Sequence, residues 1–259
     1  MYQLNNINII RFFKSMSDIV GLKLFLNTTY LWTCTSICVI LLVGSITGSN
    51  NAINIKTTCG FGVLFALIGA VGVSFTKCNV FKSDYKNSPI YYSTNKLSRL
   101  MLYTLLIFGA GLLLGPIITL VQWFNILYLS LWITVGIFAG TILFVNKCKS
   151  ESLLILGPIV GGCVLSLSSL SLIAFASYLL YGNIYLLSFV EIELYVGIII
   201  YACAIAYDTH LAIGMYHNKE PDHLICSTIL HVDFINLLIR IIKIFSIDKQ
   251  HNNKYQQRK

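Results

Sequence analysis

Two carboxylates stand where a carboxylate is costly. Asp208 lies in the run Ala204-Ile-Ala-Tyr-Asp-Thr-His, and Asp233 lies in His231-Val-Asp-Phe-Ile-Asn. Both runs belong to long apolar stretches, and a lone Asp near the middle of a bilayer costs at least ~2.5 kcal/mol, so each needs a partner, water or a function. The short segment Met215 to His223 joins the two stretches into a hairpin. Asp233 then falls about 14 Å of helical rise into the second arm, at a depth similar to Asp208. If the two side chains face one another they should share a proton, since two like charges in a poorly solvated site do not both ionise easily. Such a pair is at once proton-sensitive and an oxygen-rich ligand for a hard cation such as calcium. The alternative is that each Asp caps or hydrogen-bonds a neighbouring helix. His210 and His231 each stand two residues from one of the carboxylates and bring a charge change near neutral pH, or else are interfacial rings with a wet tip. Arg240 and Lys243 follow Asp233 on broadly its own face, where a long basic side chain also snorkels to the interface.

The elements that position these residues are hydrophobic. The 259 residues are 56% hydrophobic and only 11% charged, with a mean hydropathy of +0.77. Soluble domains carry roughly 25% charged residues, so lipid is the expected solvent. About 20 apolar residues cross a bilayer core as a helix. Runs of that size occupy Thr28–Gly48, Cys59–Thr76, Leu100–Val121, Ile126–Val145, Ser152–Leu180, Leu194–Gly214 and Leu224–Ile247. The expected fold is an all-α integral membrane protein, a bundle of seven hydrophobic helices whose last member either crosses fully or re-enters. Residues 1–27 form an N-terminal cytosolic segment, 28–247 the bundle, and 248–259 a short basic disordered tail.

Orientation follows from basic residues in short loops. Arg11, Lys14, Lys23, Lys77, Lys82, Lys86, Lys96, Arg99, Lys147, Lys149 and Lys219 fall on one side, and only Lys56 on the other. The N-terminus is therefore expected in the cytosol. Seven crossings would put the tail outside, although Lys249, Lys254, Arg258 and Lys259 favour the cytosol. The net charge of +8 is explained by these loops, and nucleic acid is not an expected partner. The eight cysteines include no CxxC spacing, so neither a zinc site nor a redox pair is indicated. Small residues one turn apart (Gly111 and Gly115, Gly136 and Gly140, Gly157 and Gly161) suit close packing within one bundle or dimerisation. Pro116 and Pro158 each follow a glycine and should kink a helix or start one.

Leu194-Tyr-Val-Gly, Tyr207-Asp-Thr-His, His231-Val-Asp-Phe-Ile-Asn-Leu-Leu-Ile-Arg, Gly111-Leu-Leu-Leu-Gly-Pro, and Leu156-Gly-Pro followed by a Ser- and Leu-rich helix form a pattern. In these motifs the chain resembles the Bax inhibitor-1 family. The resemblance covers Leu100 to Ile247, and the glycine-proline motif and short basic tail look nearer to the eukaryotic Bax inhibitor-1 type than to longer, proline-rich relatives. It implies an endoplasmic reticulum membrane protein that restrains cell death and lowers luminal calcium. The implied activity is a slow, pH-sensitive leak or Ca²⁺/H⁺ exchange, with Asp208 and Asp233 as the sensor and ion ligands. It implies no resident cofactor, with Ca²⁺ and H⁺ as the ions moved or sensed. The implied partners are lipid, calcium ions and other membrane proteins of the cell-death pathway. His210 stands where the family usually has Gln, and Val232 where it has Leu. An arginine cluster that pairs with the aspartates in some bacterial relatives is represented here only by Lys77 and Lys82.

Two other readings compete. One is a membrane interaction protein whose protective effect comes from binding partners. The other is an intramembrane aspartyl protease, which also uses two aspartates on consecutive helices, one in a Tyr-Asp pair like Tyr207-Asp208. Such an enzyme carries its second aspartate in a Gly-x-Gly-Asp turn, and no glycine stands near Asp233. The expectation is therefore that the chain is not an enzyme.

Overall fold

The computed structural model describes residues 2–49, 55–85, 88–122, 126–145, 157–167, 169 and 187–256. In chain order the elements are α1 (Tyr2–Ser49), α2 (Ile55–Phe75), β1 (Asn79–Tyr85), β2 (Ser88–Thr94), α3 (Leu97–Gln122), α4 (Leu127–Val145), α5 (Gly157–Leu167), α6 (Leu187–His217) and α7 (His223–Gln256). Six of the helices are long and apolar enough to cross a membrane: Ile19–Gly48, Thr57–Phe75, Leu97–Ile118, Leu127–Val145, Glu193–His217 and His223–Ile247. The protein is an all-α integral membrane bundle. The described part of α5 is shorter than a crossing, and the rest of the expected fifth run, Ser152–Leu180, lies outside the described residues.

Two features differ from the sequence reading, and a third bears on the two alternatives it leaves for the last helix. The loop between α2 and α3 contains an antiparallel hairpin, with β1 paired to β2 from Asn79↔Thr94 to Tyr85↔Ser88. Val80-Phe81 and Ile90-Tyr91-Tyr92 supply β-branched and aromatic residues too few to form a span but suited to a short ladder. Second, α7 continues as helix through Gln256, so the segment read as a disordered tail is helical over most of its length. Good helix formers (Lys249, Gln250, Lys254, Gln256) maintain the backbone pattern after the apolar stripe ends. Third, α7 is unbroken over 34 residues, about 51 Å at 1.5 Å per residue, where a re-entrant segment would need a break. Pro116 sits inside α3 without ending it, and Pro158 lies within the described part of α5.

The chain divides into two compact units, and α6 and α7 contribute turns to both. The first contains residues 1–43, 54–113 and 211–231. Its core joins Phe25, Leu26, Ala212, Tyr216 and Cys226. Helices α2 and α3 meet backbone to backbone: a Cβ on Gly69 would lie 2.5 Å from the Leu106 nitrogen, and one on Gly109 would collide with the Ala66 backbone. Only glycine permits that approach, through which lipid-embedded helices gain dispersion contacts. The turn between α6 and α7 closes with Glu220 N–H donating to the Met215 carbonyl at 3.0 Å. Lys219 takes the left-handed conformation there, φ 64°, the C-terminal cap geometry usually given to glycine or asparagine.

The second unit contains residues 44–53, 114–210 and 232–259. Phe138 on α4 meets Phe234 on α7 edge-on at 5.4 Å, and Gly157 leaves room for the ring of Tyr207. Leu237, Leu238 and Ile205 are fully buried. Among the described spans α7 is the most sheltered, 56% buried against 17% for α4. That shelter explains how the span with the most interruptions by polar residues is tolerated: its charges meet protein rather than hydrocarbon.

Candidate functional site

On α6, residues 193, 197, 201 and 208 recur at three- or four-residue multiples and so share a face; on α7, residues 233, 237 and 240 do the same. Those two stripes meet. At one end, Asp208 and Asp233 lie carboxyl to carboxyl within hydrogen-bonding reach. Asp233 is buried, at 8% exposure, and Asp208 is half-buried. No protein donor reaches Asp233 Oδ2. What stands beside it is the other acidic group, and a carboxylate is acceptor-only, so the two bond to one another only when at least one is protonated. Among the described residues neither aspartate forms an ion pair.

At the other end of the stripe, Arg240 is held rather than snorkelling. Its Nη2 lies 3.1 Å from Glu193 Oε1, and its Nη1 donates to the Glu193 carbonyl at 3.1 Å. The guanidinium sits 5.0 Å from the centroid of the Tyr201 ring and packs directly on Gly197. The residue is only 9% exposed, so its charge is balanced within the protein instead of at the headgroups. Lys243, one turn on, is exposed.

The histidines part company. His231 is 1% exposed and is not a wet-tipped interfacial ring. Its Nδ1 lies 3.1 Å from the Ser227 carbonyl, and its ring meets Tyr103 edge-on at 6.2 Å. It closes a buried polar cluster in which Tyr103 Oη and Ser227 Oγ are 2.6 Å apart and Thr33 Oγ1 donates to Ser227 Oγ at 3.2 Å. His210 is half-buried on α6. Lys77 is exposed at the end of α2, and Lys82 stands in β1 opposite Tyr91.

Three charged residues were not distinguished by the sequence reading. Arg99 reads there as a loop charge but is 0% exposed inside the α3 span. It donates from Nη2 to Asp222 Oδ2 at 2.5 Å and from Nη1 to Asn95 Oδ1 at 2.7 Å. Asp222 in turn caps α7, its Oδ1 accepting the N–H groups of Leu224 and Ile225 at 3.2 Å each. Glu193, the counterion of Arg240, opens the α6 span. The Pro-Asp step before an apolar run was a visible N-cap signal for Asp222; nothing comparable marked Glu193. Outside the spans, burial and then the Asp222 charge push the Cys78 thiol above its ordinary pKa, and its Sγ points at the Pro221 carbonyl at 3.8 Å.

A polytopic helical bundle with a carboxyl pair on its last helical hairpin defines the class: a multi-pass integral membrane protein without a separate soluble domain among the described residues. The family model described as inhibitor of apoptosis-promoting Bax1 matches residues 22–250, and the chain belongs to that family. No curated protein sequence matches it.

Proposed function

We propose that the chain is a proton-regulated calcium leak pathway or Ca²⁺/H⁺ exchanger of the endoplasmic reticulum membrane, with Asp208 and Asp233 as its sensor, and that it restrains cell death. The observation that carries this reading is the buried carboxyl–carboxyl contact. Its hydrogen bond is absent when both groups are ionised and strongest when they share one proton. With one proton shared, a carboxyl donates to a carboxylate and ties α6 to α7. A second proton removes the ionic acceptor, weakens the tie and frees the two helices to separate, the direction implied by the family resemblance. Calcium is cargo in this scheme. Two carboxyls offer at most four of the six to eight oxygens that Ca²⁺ takes, so water completes the shell and the ion passes rather than stays. Among the described residues no cluster of three or more His, Cys, Asp or Glu is placed to hold a metal. The reading involves no enzymatic step, and it places the N-terminus in the cytosol on the strength of the loop charges. His210, His231, Lys77, Lys82 and Arg240 act in it as modulators of the helix pair.

The test is calcium efflux from proteoliposomes between mildly acidic and mildly alkaline pH. Efflux rises on acidification in the parent protein, and Asp208→Asn and Asp233→Asn flatten the profile while His210→Gln only shifts it. A steep response surviving in the double Asn variant moves the sensor elsewhere.

A further inference from the structure

Beyond the aspartate pair, the second unit holds a cavity of about 280 Å³ lined by Glu193, Leu194, Tyr201, Asn236, Ile239, Arg240 and Lys243. We infer that this cavity is a binding site for the phosphate of an anionic phospholipid headgroup.

The argument starts from charge. Two cations and one carboxylate line the cavity, and Arg240 places both of its Nη atoms on Glu193. The remaining positive charge is that of Lys243, which is exposed and forms no ion pair among the described residues. With Glu193 acting on both cations, the lining carries one more positive charge than negative; such an excess recruits an anion, and a phosphodiester carries one negative charge to match it. Depth selects the source of that anion. Glu193 is the first residue of the α6 span, and Lys243 lies in the last turn or so of the α7 span, which ends at Ile247. The two helices run antiparallel, so both residues lie where hydrocarbon gives way to headgroups. There a lysine ammonium normally reaches for lipid phosphate. Here the reach is organised. Asn236, Arg240 and Lys243 repeat at four and three residues along α7, which puts an amide donor, a fixed guanidinium and a mobile ammonium along one wall. Tyr201 and Leu194 form apolar wall across from them, suited to the glycerol and upper acyl carbons. The ion pair with Glu193 holds the guanidinium in place before any lipid arrives, so little ordering remains to be done on binding.

The experiment is native mass spectrometry of the full chain released from detergent, titrated with dioleoyl phosphatidylglycerol and, separately, dioleoyl phosphatidylcholine. Retained phosphatidylglycerol adducts are expected to exceed phosphatidylcholine adducts at equal concentration. Lys243→Gln is expected to weaken phosphatidylglycerol retention about fivefold, the effect of one lysine near an anionic headgroup. Lys243→Arg keeps it, and Lys23→Gln, at an exposed lysine of α1, leaves it unchanged. Asn236→Leu weakens it less and serves as the readout should Lys243→Gln fail to fold. Equal retention in Lys243→Gln, or in Asn236→Leu where that variant is the readout, overturns the proposal. So does displacement of the lipid by equimolar inorganic phosphate, which makes the cavity a site for a free anion instead.

Discussion

Arg99 and Asp222, 123 residues apart in sequence, close a 2.5 Å ion pair in which the arginine is wholly buried. The same aspartate caps α7 with its other oxygen. One side chain therefore ends the α6–α7 turn, starts α7 and anchors the base of α3.

Breaking that arrangement from one side is expected to be costly. Asp222→Ala leaves a buried guanidinium without its counterion and a helix without its cap, a loss of about 3–5 kcal/mol from the pair alone. The paired change Arg99→Leu with Asp222→Asn keeps a capping oxygen, removes the orphan charge and should recover most of the loss. Thermal unfolding of the detergent-solubilised variants, run as a double-variant cycle, measures the recovery.

Glycines that look alike in sequence should differ in tolerance. A methyl group at Gly197 runs into the Arg240 guanidinium, whereas one at Gly136 meets nothing within 4 Å. Gly197→Ala is expected to destabilise by about 1–3 kcal/mol through overpacking. Gly136→Ala should be neutral or stabilise by up to ~1 kcal/mol through helix propensity. The same unfolding assay ranks the two.

Cys78 offers a pH test outside the spans. Burial, followed by the Asp222 charge, raises its thiol pKa, so less reactive thiolate is present at any given alkaline pH than in a free cysteine. Alkylation at Cys78, followed by peptide mass spectrometry, should reach half its maximal rate at a higher pH than a free-cysteine peptide treated alongside. An equal or lower midpoint contradicts the assignment.

Leak and protection can be separated in cells. If Asp208→Asn abolishes calcium leak and cell protection together, protection depends on the ion pathway. Loss of leak with protection intact favours a protein that works by binding partners. A glycosylation acceptor placed before Thr28 checks orientation, and it is expected to remain unmodified.

Much of this architecture was legible because lipid imposes a length rule. Six apolar runs reappear as six span-length helices, five of them within a few residues of their expected limits and the first beginning at Ile19 rather than Thr28, and two aspartates inside such runs are conspicuous. Charges at the ends of runs are not. Arg99 and Glu193 each sit at a span boundary, where the same residue type serves equally as a headgroup contact. Only the register between helices, which a one-dimensional pattern does not contain, decides which of them is buried. The hairpin is hidden in another way: its Lys82 looks like a loop charge, while the Val80-Phe81 and Ile90-Tyr91-Tyr92 clusters that form its ladder are too short to register against twenty-residue spans.

The contacts that join α6 to α7 differ in kind as well as in place. Asp233 and Arg240 are seven residues apart, about 10 Å along the helix. The proposed reading makes the contact at Asp233 depend on a shared proton; the one at Arg240, an ion pair backed by a carbonyl and an aromatic ring, does not depend on one. Loss of the first leaves the second fastened. In the opening proposed above, α6 and α7 stay fastened at the Arg240–Glu193 pair on one side of the carboxyls and at the Met215–His223 turn on the other, so the gap is a bow between two fixed points, widest where the carboxyls stand.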